Sequence, residues 1–122
     1  MKRILIVDDA ATVRMYHRSL LEAAGYMVEE AVNGIEALEK SLQAPFDLYV
    51  VDINMPKLDG YGFLRELRAQ TIFQAPAIMV STEAQTNDQQ RAYAAGANDY
   101  LVKPIKPDQL LIHIKLLIGT VK

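Results

Sequence analysis

The chain has 122 residues, 51% hydrophobic and 23% charged, with a net charge of −2 and a mean hydropathy near zero. That length and balance suit one globular domain with a single core, and the weak acidity gives no electrostatic attraction to nucleic acid or an anionic membrane surface. With no cysteine, disulfides and thiolate metal sites are excluded.

The chain opens on Met1-Lys2-Arg3, but the apolar run that follows, Ile4-Leu5-Ile6-Val7, is only four residues long before Asp8-Asp9. It is too short for a signal peptide and reads as a buried β-strand. No apolar segment approaches membrane-spanning length, so a cytoplasmic protein with no membrane insertion is expected. A helix of about a dozen residues follows, with Val13, Leu20 and Leu21 at roughly helical spacing and a stop near Ala23-Ala24-Gly25. Met27 to Ala31 is a weak strand whose two glutamates suit a sheet edge. Asn33 caps a second helix carrying Ile35, Ala37, Leu38 and Leu42, which ends before Pro45.

Leu48-Tyr49-Val50-Val51-Asp52 is the central strand, four apolar residues that stop on a carboxylate. The turn formers Asn54, Pro56, Asp59 and Gly60 come directly after it, which puts Asp52 at the strand tip, half out of the core. Gly60 opens a third helix with Phe63, Leu64 and Leu67 on one face. Ala77 to Val80 is a fourth strand stopping on Ser81-Thr82, and a short helix runs from Thr86-Asn87-Asp88 to Gly96. Asp99 to Val102 is a fifth strand stopping on Lys103-Pro104, and the last helix starts near Pro107, a favourable first-turn proline.

Five alternations of strand and helix with short connections predict one α/β domain over 1–122. Its sheet is parallel, with helices on both faces and right-handed crossovers. If the strands lie parallel, their polar ends bring three carboxylates, a hydroxyl and an ammonium into one pocket, at the edge where open sheets bind ligands. Each residue also has an ordinary alternative. Asp52 can cap a turn, Asp8 or Asp9 can cap the first helix, Lys103 can be a surface lysine, and Tyr100 a half-buried strand tyrosine.

Asp8-Asp9, Asp52, Ser81 and Lys103-Pro104, each at a strand end and in this order, resemble the receiver domain of two-component response regulators, most closely the stand-alone CheY-like chemotaxis regulators. The resemblance spans nearly the whole chain and implies a flavodoxin-like fold with strand order 2-1-3-4-5. It implies that Asp52 accepts a phosphoryl group from a sensor histidine kinase as a carboxylate nucleophile. Asp8 and Asp9 match an acidic pair that holds a divalent cation. Carboxylates about 4 Å apart repel by about 4 kcal/mol at an effective dielectric of 20, and a hard cation such as Mg²⁺, or Mn²⁺, relieves that repulsion. By resemblance Asp9 and Asp52 ligate directly, Asp8 acts through water, and Asn54 adds its backbone carbonyl.

Lys103 matches the lysine that pairs with the phosphoryl oxygens, and a cis Lys103–Pro104 bond is implied. Ser81 matches the hydroxyl that meets the phosphoryl group, and Tyr100 the aromatic switch that follows it. Thr82 stands where the family often has alanine. Asn54 and Glu83 reproduce a pair found in fast-hydrolysing chemotaxis regulators. By resemblance the module would catalyse only its own phosphorylation and dephosphorylation and is not otherwise expected to be an enzyme. Downstream target binding, or self-association, is implied for the face made by the fourth helix, fifth strand and fifth helix. On that last helix the pattern buries Leu110, Ile114, Leu117 and Ile118, partly covers Leu111, and leaves Ile112 and Leu116 exposed.

Three rivals are distinguishable. A phosphorelay intermediate, passing its phosphoryl group to a histidine phosphotransfer protein, would hydrolyse slowly. A Mg²⁺-dependent phosphatase with an aspartate nucleophile uses a second acid two residues on, where this chain has Asn54. A flavodoxin-like cofactor protein would line its strand ends with Gly and Ser/Thr rather than acids. His17 and His113 are assigned no metal or catalytic role, and the methionines are assigned to packing.

Overall fold

Each predicted apolar run becomes a strand. In the computed structural model, which describes residues 1–119, these are β1 (Arg3–Val7), β2 (Met27–Ala31), β3 (Leu48–Asp52), β4 (Ala77–Ser81) and β5 (Asp99–Val102). They alternate with α1 (Ala11–Ala23), α2 (Gly34–Gln43), α3 (Gly60–Arg68), α4 (Thr86–Ala95) and α5 (Pro107–Ile118). All four pairings are parallel and the order is β2-β1-β3-β4-β5, so the weak, charged Met27–Ala31 run does lie at an edge. Of the expected domain 1–122, residues 120–122 lie outside the described residues.

Side-chain alternation along the strands sorts the core into two layers. Leu5, Val7, Tyr49, Val51, Ala77 and Met79 face α2, α3 and α4, where Ala37, Phe63, Leu64, Leu67 and Ala92 cover them. Ile4, Ile6, Leu48, Val50, Ile78 and Val80 face Leu21 of α1 and Leu110 and Ile114 of α5. Because β1, β3 and β4 are covered on both sides, they need continuous apolar runs, and only their ends can carry polar groups.

Local signals set the helix ends. Asn33 accepts the Glu36 N–H and Asp59 the Gly62 N–H, both at 2.8 Å. Gly96 ends α4 at φ +116°, in the left-handed region. Gly60 lets α3 start against the active edge of the sheet, since a Cβ there would lie 2.7 Å from the Asp52 carbonyl oxygen.

Several expectations are corrected. Asp52 is 6% exposed, buried rather than half out, and the β3–α3 loop closes back on the strand end, with Gly60 N–H donating to the Ile53 carbonyl. Ser81 belongs to β4. On α2, Ala37 and Ser41 turn inward while Ile35 and Leu42 are both exposed. On α5, Leu117 and Ile118 are only partly buried, whereas Leu110, Leu111, Ile114, Ile112 and Leu116 fall as the pattern places them. Met79 and Met55 pack in the core, but Met15 and Met27 are exposed. No described helix is long and apolar enough to cross a membrane.

Phe63 is fully buried and stacks edge-on against Tyr49 at 5.8 Å, so Phe63→Ala is expected to cost about 3–5 kcal/mol in urea unfolding. Leu116, 78% exposed, is expected to change stability by less than about 0.5 kcal/mol when replaced by Ala.

Candidate functional site

The C-terminal ends of β1, β3, β4 and β5 meet, and their polar residues form one cluster. Asp8, Asp9 and Asp52 each place a carboxylate oxygen so that all three lie within 4.8 Å of one another. Lys103 reaches in from the end of β5, its Nζ donating to Asp52 Oδ1 at 3.1 Å and lying 3.6 Å from Asp8 Oδ2. The Lys103–Pro104 peptide bond is cis, as the resemblance implied.

The three acids are held differently. Asp8 is buried, and its Oδ1 accepts the Ala10 N–H at 2.8 Å. Its carbonyl accepts from the Arg14 guanidinium at 2.8 Å, and Arg14 is anchored in turn by Glu30 at 2.9 Å. Asp8 thus makes the local turn before α1. Asp9 is exposed, and the N-cap of α1 is Ala10, with no side-chain cap bond. The helix-cap alternative therefore accounts for at most Asp8. Asn54 is exposed on the loop two residues past Asp52.

Charge does not balance within the cluster: three carboxylates face one ammonium. Burial, then the nearby Asp8 carboxylate, pushes the Asp52 carboxyl above its ordinary range, against the pull of Lys103. Burial works against the charge of Lys103, yet Asp52 and Asp8 outweigh it and hold the ammonium above its ordinary value. Oxygen-only ligands, surplus negative charge and one exposed acid open to solvent are what a hard divalent cation requires. The residues present fit such an ion.

Ser81, 1% exposed, does not hydrogen-bond to Asp52. Its Oγ accepts the Glu83 N–H at 3.1 Å, while the Glu83 carbonyl accepts the Tyr100 hydroxyl at 2.7 Å. The Glu83 backbone therefore joins Ser81 to Tyr100, which is 8% exposed and turned into the core rather than half-buried. The Glu83 side chain itself is on an exposed residue.

Sequence reasoning passed over the wall beside this cluster. His17 is buried, and burial holds its imidazole below the ordinary value, with Asp8 opposing. It lines a cavity of about 500 Å³ with Val13 and Tyr16 on one side and Thr82, Lys103 and Ile105 on the other. The spacing of Val13, Tyr16 and His17, three and four residues apart, was the available signal. His113 lies elsewhere, its Nδ1 2.5 Å from Asp99 Oδ2 at the opposite end of β5.

Comparison with known proteins agrees with this geometry. Residues 4–115 match the response regulator receiver domain. The chain is 44% identical over 110 residues to the chemotaxis protein CheY of Bacillus subtilis, covering 89% of this chain and 91% of that protein. It is 36% identical over 116 residues to the transcriptional regulatory protein ResD of Bacillus subtilis, covering 95% of this chain but 48% of ResD. The chain thus spans about half the length of several curated relatives it matches. Among solved structures, the receiver domain of a sensor histidine kinase from Pseudomonas aeruginosa superposes with a TM-score of 0.89 at 32% identity, covering 98% of each chain. That structure carries a magnesium ion coordinated in its active-site cleft.

The raised Asp52 carboxyl has a consequence for stability. Between the ordinary aspartate value of 3.8 and the higher folded value, the unfolded chain has lost a proton that the folded chain keeps. Stability therefore falls as pH rises through that window and stays lowered above it. Metal-free Asp52→Asn is expected to show a higher Tm than wild type at pH 7, with the gain shrinking toward pH 3. Equal or lower Tm at pH 7 would show that the Lys103 pair outweighs burial.

Proposed function

This chain belongs to the response regulator receiver domain family, and on that premise we propose that it is a phosphorylation-controlled signalling module whose acceptor is Asp52. The supporting observation is the position of Asp52: a buried carboxylate at the end of the central strand, 3.1 Å from one ammonium and within 4.8 Å of two more acids. The donor is the phosphohistidine of a sensor histidine kinase. An Asp52 carboxylate oxygen forms a bond to phosphorus as the phosphorus–nitrogen bond breaks, and the imidazole leaves with the electron pair.

Asp9, Asp52 and the Asn54 backbone carbonyl would hold Mg²⁺, or Mn²⁺, with Asp8 acting through water, and the ion would offset negative charge on the phosphoryl oxygens. Lys103 offsets a second part of that charge, and the Ser81 hydroxyl is free to donate to a phosphoryl oxygen. A shift of Ser81 toward that oxygen pulls on the Glu83 backbone and so on Tyr100. That connection carries the change to the surface of α4, β5 and α5, where Ile112 and Leu116, 55% and 78% exposed, form an apolar patch for a target protein or a second copy.

Asn54 and Glu83, both exposed, match the pair of fast-hydrolysing chemotaxis regulators, and the module dephosphorylates itself. The likeness to a chemotaxis protein over 91% of that protein's length favours a chemotaxis-type cytoplasmic regulator over a relay intermediate. The only chemistry assigned is on its own Asp52.

Incubation with Mg²⁺ and acetyl phosphate is expected to add one phosphoryl group by intact mass, and Asp52→Asn to add none. Label that persists in that variant would overturn the assignment. Asp9→Ala is expected to abolish labelling and the stabilisation by Mg²⁺, about 2.7 kcal/mol at a hundredfold excess over Kd, while leaving the metal-free fold intact. Unfolding of Asp9→Ala would make Asp9 a structural residue.

Leu116→Glu is expected to leave labelling intact and to weaken phosphorylation-dependent association about tenfold or more, measured by sedimentation and by binding to a purified target. Unchanged association would make Ile112 and Leu116 ordinary surface residues.

A further inference from the structure

A cavity opens beside Lys103, the partner of Asp52. Its volume, about 500 Å³, is within the usual range for small-molecule sites. One wall is α1, where Val13 is half-buried and the rings of Tyr16 and His17 lie 5.6 Å apart at a tilt of 46°. The other wall is formed by Thr82 after β4 and by Ile105 after β5. Among the lining residues the one charged side chain is Lys103, whose Nζ also touches Asp52. The cavity is therefore an apolar extension of the phosphorylation site, with its polar end at the nucleophile.

We propose that this cavity is a leaving-group subsite for low-molecular-weight acyl phosphates whose acyl part is aromatic or bulky and apolar, so that such donors phosphorylate Asp52 in preference to acetyl phosphate. The inference rests on Asp52 being the phosphoryl acceptor. With the phosphoryl end at Lys103, an aryl ring has room between Val13, Tyr16 and Ile105. A methyl group would leave most of that apolar wall in contact with water, where its surface gains nothing from burial. The exchange balances without proton or redox steps. The bond from an Asp52 oxygen to phosphorus forms, the bond from phosphorus to the acyl oxygen breaks, and the arenecarboxylate departs with the electron pair.

The occupant is assigned as a small molecule because the cavity is a local recess bounded by two short segments and α1, with its single cation at the phosphoryl end. An apolar side chain of a protein donor is the competing occupant. The test compares benzoyl phosphate with acetyl phosphate, both with Mg²⁺, by the initial rate of mass gain on wild type and on Val13→Phe, which fills the cavity. Ile105→Ala, which widens it, serves as a second variant, and all three are checked for folding by circular dichroism.

Wild type is expected to favour benzoyl phosphate at least about tenfold in kcat/KM after correction for the intrinsic reactivity of the two donors. The benzoyl-to-acetyl ratio is expected to fall about tenfold in Val13→Phe and by a smaller factor in Ile105→Ala. Benzylphosphonate, which cannot transfer its phosphoryl group, is expected to shift the Val13 and Tyr16 amide signals in wild type and not the corresponding signals in Val13→Phe. A ratio near one in wild type, or the same ratio in all three proteins, would overturn the subsite and leave the cavity to a protein donor. Absence of mass gain with either donor would instead overturn Asp52 as the acceptor.

Discussion

The contact between Asp52 and Lys103 governs the C-terminal edge of this sheet, because it ties the end of β3 to the end of β5 where the apolar runs stop. β3 and β5 are not neighbours; β4 runs between them, and the lysine spans that strand to reach the carboxylate. The pair is buried on the aspartate side, so each charge loses hydration that the other must replace. One ammonium cannot do this for three carboxylates, and the surplus negative charge is what a hard divalent cation would offset.

That imbalance is tolerated because the rest of the fold is conventional and well covered. Two apolar layers enclose β1, β3 and β4, and the largest buried side chains, Tyr49, Phe46 and Phe63, all lie away from the charged edge. The backbone that carries Asp52 is held by bonds that do not involve the Asp52 or Asp9 side chains. Gly60 N–H bonds to Ile53, Lys103 N–H to the Ser81 carbonyl, and Ile53 N–H to the Val80 carbonyl. Asp52 and Asp9 can therefore change partners without loss of the strand ends that carry them.

The same edge has a path outward. Ser81 and Tyr100 sit on neighbouring strands, and the Glu83 backbone is hydrogen-bonded to both, through its N–H and its carbonyl. The hydroxyl and the aromatic ring are therefore joined through two hydrogen bonds and the backbone of one residue. On the opposite side lies an open recess, lined largely by Val13, Tyr16, His17 and Ile105. The site thus has one side that is hydrogen-bonded through the backbone and one that is open and largely apolar.

How much of this was legible in the sequence depends on the range of the interaction concerned. Strand identity and the chemistry at each strand end are local: an apolar run of four residues must be covered on both faces, and the first polar residue after it must lie at the edge, which places Asp8, Asp9, Asp52, Ser81 and Lys103. The caps at Asn33 and Asp59, the α4 stop at Gly96 and the proline start of α5 are local as well, each acting within about one helical turn. The strand order came with the family resemblance, not from the apolar pattern. Helical spacing grouped Ile35 with Ala37, Leu38 and Leu42, yet the angular phase of α2 against the sheet was set by packing, which exposed Ile35 and Leu42 and turned Ser41 inward. The depth of Asp52, the Ser81–Glu83–Tyr100 chain and the place of His17 in a cavity wall were decided only by tertiary structure. Each depends on the distance between segments far apart in the chain, and that distance is fixed by how the two apolar layers close, not by any residue's neighbours in sequence.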